Sequence, residues 1–337
     1  MSVALVRVGL ATSLGSHAPS ACAAIRAGIA RPRPLEGVPA FDPEEPSDAR
    51  VTGHPAYELT DGYEVPGRWL RLLNAAWTGT RPASTEAARG PTIAWLCIPS
   101  PQEPRFEDGL HPAAWFVSRA RELLGGSAQK VVVVMEGAAG FWRSMAEASQ
   151  RLLARECATA IVLAADSLLD SSSLAWLAAN DRLKTPERPT GVAPGEAAAC
   201  LVLERAGEVT VSGVSLASAE ARDGTLAEAR ALVRALGTAV RAAPGPVGDV
   251  VGNQNGEYAL AHAWGSAQAM LLAENVAFEG KEHFPAMSLG DVGMCAPAIG
   301  ITLAAAAQQR RWASRGATTV WSLIGGCAGA CLVSAKR

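Results

Sequence analysis

The sequence contains no run of more than two adjacent lysines or arginines, and its formal net charge is −2 over 337 residues. Nucleic acids and anionic membrane surfaces attract proteins that concentrate positive charge, so we expect neither as a partner. No apolar stretch approaches the roughly 20 residues that a transmembrane helix requires. Residues 1–16 lack the charged region, long apolar segment and cleavage site of a secretory signal. We therefore expect a cytoplasmic protein with no membrane span.

Cysteine pairs at metal-binding spacing are also absent. The seven cysteines are scattered, mostly within apolar runs, and none forms a CxxC pair or joins a histidine at metal-ligand spacing. This pattern favours buried reduced thiols and predicts no metal or other cofactor. The remaining composition is 49% hydrophobic and 18% charged, with 33 glycines and 21 prolines spread along the chain. Such a composition is typical of a globular α/β protein and argues against disorder or a fibrous repeat.

Short β-branched and apolar runs alternate with alanine-rich stretches of helical length along most of the chain. This alternation predicts strands that are covered by helices on both faces. Residues 31–90 interrupt it with many prolines and charges, and we interpret them as an insertion packed on the core, with one helix candidate near 69–77. Strands are predicted at 3–8, 92–98, 130–135 and 160–165, and helices at 20–28, 112–124 and 141–155.

The order of strand, small-residue turn, helix and strand occurs twice. In the first copy, the turn at residues 136–140 joins the valine-rich strand 130–135 to the helix 141–155. We predict two similar halves, 1–205 and 206–337, because a new strand begins at Val209 after a turn. The weaker second copy comprises residues 288–293, a helix at about 296–311, and strands at 319–323 and 330–334.

Three segments resemble the β-ketoacyl synthases, which are condensing enzymes of the thiolase fold. Residues 188–204, RPTGVAPGEAAACLVLE, are similar to the family's hairpin segment that ends in a GE(G/A)A run and a strand. Residues 155–167, RECATAIVLAADS, resemble the strand that follows the nucleophile helix. Residues 322–333, SLIGGCAGACLV, resemble the glycine-rich turn between the last two strands. The resemblance covers the chain outside 31–90 and implies a duplicated, five-layered α-β-α-β-α fold.

The family's chemistry, as the resemblance implies it, needs three positions. A cysteine at a strand-to-helix turn attacks the thioester, and two further groups, His and His or Asn, stabilise the oxyanion and the enolate. In this sequence the cysteine position falls on Gly137, and a slip of one residue gives Glu136 or Ala138, neither of which is a thiol. The other two positions fall on Asn255 and Asp291. Condensation by the usual route is therefore predicted to be lost.

Neighbouring residues complete the predicted substrate pocket, which comprises Glu136, Gln254, Ile324, Gly325 and Gly326. Glu136 either mimics an acylated thiol or is a carboxylate at a helix N-terminus. Residues 253–257 either line the pocket or form an Asn-Gly turn.

Several further residues have two interpretations at this stage. Asp291 either faces the substrate or caps the helix that follows it. Cys295 and Cys327 are either displaced nucleophiles or structural thiols, and His262 is interpreted as a packed residue. Phe141 and Trp142 either fill the space where an acyl chain would lie or belong to the core.

Two functions are consistent with these substitutions. The first is a partner or chain-length-factor-like subunit, a pseudoenzyme that pairs with an active ketosynthase of a fatty-acid or polyketide pathway. The second is a divergent acyltransferase, hydrolase or decarboxylase that acts on acyl thioesters through Glu136, Asn255, Asp291 or Cys295. The resemblance further implies a homodimer or heterodimer formed through the strand at 130–135, with an acyl carrier protein or a coenzyme A thioester as a ligand.

Overall fold

The computed structural model describes residues 2–39, 50–80, 90–106, 109–243 and 245–335. Of the predicted insertion, residues 40–49 and 81–89 lie outside this part. Among the described residues, no helix is both long enough and apolar enough to cross a bilayer. The strands are β1 Ser2–Thr12, β2 Arg33–Pro39, β3 Arg50–Gly53, β4 Thr92–Ile98, β5 Lys130–Met135, β6 Thr159–Ser167, β7 Glu196–Glu204, β8 Val209–Ser218, β9 Val247–Val251, β10 Glu282–His283, β11 Ala317–Ile324 and β12 Cys327–Ala335. The helices are α1 Ala18–Arg26, α2 Tyr57–Thr60, α3 Gly67–Thr78, α4 Ala113–Leu124, α5 Gly137–Leu153, α6 Ser171–Ala179, α7 Ala227–Arg241, α8 Tyr258–Ala273, α9 Ala286–Leu289 and α10 Ala296–Gln309.

Ten strands form one sheet in which the same arrangement occurs twice. Its order is β10-β9-β11-β12-β8-β1-β7-β6-β4-β5. At one end, β10, β9 and β11 are parallel, and β12 and β8 follow in antiparallel pairs. At the other end, β5, β4 and β6 are parallel, and β7 and β1 follow in antiparallel pairs. The two arrangements join where β1 pairs antiparallel with β8. The sheet therefore consists of two five-stranded units of one topology.

The helices form three layers around these two units. One hydrophobic cluster contains the buried faces of α5 and α10, which contact each other between the units. A second cluster places α3 and α4 on the outer face of the first unit, and a third places α7 and α8 on the outer face of the second. Because helices cover both faces, β4 and β6 are buried along their whole length. The predicted five-layered α-β-α-β-α fold is confirmed.

The start of α5 differs from the sequence-based prediction. The small residues from Gly137 to Gly140 were expected to form a turn before a helix at 141–155, but α5 begins at Gly137 and ends at Leu153. Gly140 serves helix packing, because a Cβ on it would lie 2.6 Å from Val134 Cγ1. Glu136 is therefore the residue immediately before the helix, and Gly137 is its first residue.

Candidate functional site

A cavity of about 590 Å³ opens where parallel strands of both units end. Residues that follow β4, β6 and β9 line it, together with the end of β11 and the first turn of α5. Ligands commonly bind at the carboxyl ends of parallel strands, where loops bring side chains together. The sequence-predicted residues that line the cavity are Glu136, Gly137, Asn255, Asp291, Ile324 and Gly325, whereas Gln254 and Gly326 do not line it.

The turn between β5 and α5 presents backbone rather than a nucleophile to this cavity. Gly137 has φ +57°, in the left-handed region that favours glycine. The N–H groups of Gly137, Ala138 and Ala139 begin a helix of 17 residues and have no acceptor among the described residues. Glu136 is half exposed and forms an ion pair with Arg143 on the same side of the turn. The carboxylate nearest to the cysteine position in the sequence is thus already paired with a cation.

A different carboxylate lies beside the turn. A Cβ on Gly137 would lie 3.4 Å from Glu103 Oε1. Glu103 follows β4; its Oε1 accepts a 3.1 Å hydrogen bond from the Ser100 N–H, and its Oε2 accepts a 2.8 Å hydrogen bond from Arg105 Nε. Sequence reasoning missed Glu103, because nothing in the irregular loop after β4 indicates which way its side chains point.

Arg105 and Asp166 form a buried ion pair in the wall of the cavity. Arg105 Nη2 donates to both carboxylate oxygens of Asp166 at 2.9 Å, and the two side chains are 3% and 1% exposed. Asp166 also accepts hydrogen bonds from the Ser167 and Met294 N–H groups. Burial raises the pKa of the Asp166 carboxyl to about 7, against the opposing effect of the Arg105 charge. The only sequence signal for this pair is an aspartate at the end of an otherwise apolar strand.

Asn255 and Asp291, at the two predicted catalytic positions after Gly137, contact each other. Asn255 Nδ2 donates to Asp291 Oδ2 at 2.7 Å and to Glu257 Oε2 at 2.9 Å. Arg182 in turn holds Glu257 through two hydrogen bonds, of 2.6 and 2.8 Å. The arrangement is a continuous polar chain from Arg182 to Asp291 in which each charged group has a partner.

Asp291 combines a capping contact with a cavity-lining position. Its Oδ1 accepts a 2.8 Å hydrogen bond from the Gly293 N–H, at the start of the 3-10 turn that leads into α10. Burial raises the pKa of the Asp291 carboxyl, and the nearby negative charge of Glu257 acts in the same direction. Asp291 therefore lines the cavity, and its carboxylate bonds to the turn before α10 without occupying the cap position of α10, which is Cys295.

The GE(G/A)A-like segment fixes the loop that carries Asp291. The Gly195 N–H donates to the Asp291 carbonyl, and the Asp291 N–H donates to the Ala193 carbonyl, both at 2.8 Å. A Cβ on Gly195 would lie 2.1 Å from the Leu289 carbonyl oxygen, so this approach requires glycine. Glu196 is buried and accepts a 2.9 Å hydrogen bond from Arg68 Nε. The motif thus holds the loop of Asp291 in place through backbone hydrogen bonds.

The cysteines provide no replacement nucleophile at the turn. All seven are free, and only Cys327 is not fully buried. Cys295 does not line the cavity, and burial, together with the charge of Asp166, raises the pKa of its thiol well above its ordinary value. Cys327 does line the cavity. Within the described residues, no group of three His, Cys, Asp or Glu side chains could hold a metal ion.

Two aromatic residues of α5 are part of the central core. Phe141 and Trp142 are fully buried, and Trp142 Nε1 donates to Ser322 Oγ at 2.9 Å. A Cβ on Gly329 would lie 2.1 Å from the Trp142 ring. Neither aromatic residue lines the cavity, so of the two interpretations from the sequence the core one is confirmed. His262 is exposed on α8, and the interpretation of it as a packed residue was wrong.

No protein-family model and no curated protein sequence matches the chain. Solved structures do match it. The ketosynthase from module 6 of the bacillaene synthase of Bacillus subtilis 168 has a TM-score of 0.74 at 12% identity, covering 99% of this chain and 72% of that one. The ishigamide ketosynthase/chain length factor has a TM-score of 0.65 at 13% identity, covering 100% and 99%. A type II polyketide synthase ketosynthase in complex with its acyl-carrier protein has a TM-score of 0.72 at 13% identity, covering 99% of both chains. The chain therefore has the thiolase-like fold of the ketosynthases.

Proposed function

We propose that the chain is a ketosynthase-like subunit without condensing activity that pairs with an active ketosynthase of a polyketide or fatty-acid type pathway. The observation that carries the proposal is the turn before α5, where Gly137 has no side chain and therefore cannot form a thioester. Glu136, at the adjacent position, is paired with Arg143. An acyl group therefore has no thiol to bind at this turn.

The other two family positions also lack the usual chemistry. Asn255 is a neutral amide that donates its hydrogens to Asp291 and Glu257, so it has no proton to transfer. Asp291 in its ionised form would oppose the negative charge that develops on a thioester enolate. All three positions therefore lack the usual chemistry together, and none of the three residues supplies a group that could take over the role of another.

The sheet offers an edge for a partner. β5 lies at the end of the ten-stranded sheet and pairs only with β4 among the described strands, so its outer side carries free N–H and C=O groups. A free strand edge readily pairs with another chain. The ishigamide protein is a ketosynthase/chain length factor, and another neighbour is a ketosynthase in complex with its acyl-carrier protein. We propose that this chain likewise binds a ketosynthase and an acyl-carrier protein.

The test begins with affinity purification of the tagged full chain from its native host and identification of any co-purified ketosynthase that has a cysteine at its own turn. The two chains are then produced together, and condensation is measured with and without this chain. Hydrogen exchange should show β5 amides protected in the complex, while β10 at the other end of the sheet serves as an internal control. A chain that stays monomeric and recovers no ketosynthase would contradict the proposal.

A second candidate is hydrolysis or decarboxylation of an acyl thioester, and the raised pKa of Asp291 in an open cavity favours it. A raised pKa brings a carboxyl group closer to the range in which general acids and bases act. Turnover of acyl thioesters that disappears in Asp291→Asn, and is retained in the surface variant Glu122→Gln, would favour this function. Equal rates in the wild type and Asp291→Asn would remove it.

A further inference from the structure

Glu103 lies where a side chain of residue 137 would project. Its Oε1 is 3.4 Å from the Cβ that Gly137 lacks, which is an ordinary van der Waals contact. The carboxylate is held there from two sides, by the Ser100 N–H and by Arg105 Nε. A ligand that reaches the first turn of α5 therefore meets a carboxylate that the loop after β4 supplies.

The arginines of the cavity do not neutralise this charge. Of the residues that the structure describes, six carboxylates line the cavity, against two arginines and no lysine or histidine. Arg105 already binds both oxygens of Asp166 as well as Glu103, so two carboxyl groups share one guanidinium. Arg182 is held by Glu257 through two hydrogen bonds. Neither arginine is free to receive an anionic ligand, because each would have to leave a carboxylate partner.

We propose that Glu103 is the specificity-determining residue of this cavity and selects neutral or cationic chains over chains that bear a carboxylate. This inference rests on the proposed function, in which the cavity holds a chain without reacting with it. A carboxylate beside the start of α5 repels a second carboxylate that enters the cavity, whereas a hydrogen-bond donor or a cation finds an acceptor. The selectivity is therefore expected against malonyl-type ligands and in favour of uncharged acyl or amino-bearing ones.

The test places a thiol beside Glu103 and measures its reaction with reagents of opposite charge. The reporter is Gly137→Cys in a Cys327→Ser background, which removes the one cysteine that is not fully buried. The probes are the trimethylammonium and sulfonate forms of ethyl methanethiosulfonate. In each case the thiolate attacks the sulfenyl sulfur, a mixed disulfide forms, and methanesulfinate leaves. The reporter's own pKa cancels in the cation-to-anion rate ratio, because both reagents react with the same thiolate. Division by the ratio for a small free thiol then corrects for the different intrinsic reactivity of the two reagents.

We expect a normalised ratio of about tenfold in favour of the cation, from one nearby charge at short range. Adding Glu103→Gln should lower the ratio by about threefold or more, because the neighbouring anion is gone. Glu122→Gln is the matched control, since Glu122 is an ion-paired carboxylate on the exposed surface of α4 that does not line the cavity, and it should leave the ratio unchanged. A ratio near one, or a ratio that Glu103→Gln does not change, would overturn the proposal.

Folding of each variant is checked by circular dichroism and thermal melting. Should the positive φ prevent Gly137→Cys from folding, Ala139→Cys, which lines the same cavity from the first turn of α5, serves as the reporter with the same two outcomes. The ratio is measured on the isolated chain, so it does not depend on a ketosynthase partner or on acyl transfer. Failure of the charge selectivity and failure of the proposed function are therefore separate results.

Discussion

Replacing Arg105 with methionine should leave a buried carboxylate without its counter-charge. Asp166 is 1% exposed, and Arg105 supplies two of its hydrogen bonds, both at 2.9 Å. The acceptor would keep only the N–H groups of Ser167 and Met294. Methionine retains most of the apolar stem, so the change isolates the loss of the guanidinium. We expect the variant to fold with reduced stability.

The size of the stability loss in Arg105→Met follows from the burial of the Arg105–Asp166 ion pair. Removing one member of a buried ion pair costs about 3–5 kcal/mol, because the remaining charge is left uncompensated. An unfolding entropy of about 2.1 cal/mol/K per residue gives about 0.7 kcal/mol/K for this chain. The melting temperature should therefore fall by about 4–7 °C at a pH where Asp166 is ionised.

The loss should depend on pH with a defined sign. Burial raises the pKa of Asp166 to about 7, and removing Arg105 eliminates an effect that lowers this pKa. When a carboxyl group has a higher pKa in the folded state than in the unfolded state, the folded protein loses stability as the pH rises from the unfolded-state pKa to the folded-state pKa. The deficit of Arg105→Met relative to the wild type should thus be small near pH 5 and should grow as the pH rises above about 7, toward the higher pKa that Asp166 has in the variant.

Thermal melting across that pH range tests this reasoning. Arg105→Met combined with Asp166→Asn should recover part of the loss and abolish its pH dependence, since no buried charge remains. The control is Arg119→Met, because Arg119 pairs with Glu122 on the exposed surface, where an ion pair contributes less than about 1 kcal/mol. If the deficit had the same size at every pH, or were absent at about pH 8, Arg105 would not be the counter-charge of a buried, ionised Asp166.

Three further predictions concern single positions. Gly137→Ala should lower stability by about 1–2 kcal/mol, because its φ of +57° is unfavourable for an L-residue, and chemical denaturation would measure this. Gly329→Ala should lower the free energy of unfolding by about 1–3 kcal/mol, because the added methyl would lie 2.1 Å from the Trp142 ring. An unchanged melting temperature would contradict that contact. In the native state a thiol reagent should modify Cys327 first and the remaining six cysteines only on unfolding, which peptide mapping would show.

The regular elements near the cavity could be predicted because their signals are local. The continuous apolar runs of β4 and β5 and the small-residue sequence after β5 gave the position of the turn, and the strand bounds agree with the structure. The start of α5 was misplaced, since a Gly-Ala-Ala-Gly run is compatible with either a turn or a first helical turn. The structure then shows that Gly140 is required by contact with Val134.

The carboxylates of the cavity were harder to predict because their partners are distant in sequence. Arg105 and Asp166 are separated by 61 residues, and Asn255 and Asp291 by 36. The last two were found only through the family resemblance, which gave them as separate positions. Glu103 lies in a loop without periodicity, so no pattern indicated its place beside Gly137.

Intact-mass spectrometry after incubation with an acyl thioester shows whether the chain can hold a covalent acyl group. The purified chain, with Cys327→Ser as a control for incidental labelling of the accessible thiol, is mixed with butyryl and malonyl pantetheine thioesters and analysed over time. We expect an unchanged mass in Cys327→Ser, since Gly137 has no side chain and the other six cysteines are buried, and any adduct of the wild-type chain to be lost in this variant. A stoichiometric acyl adduct that persists in Cys327→Ser would contradict this expectation.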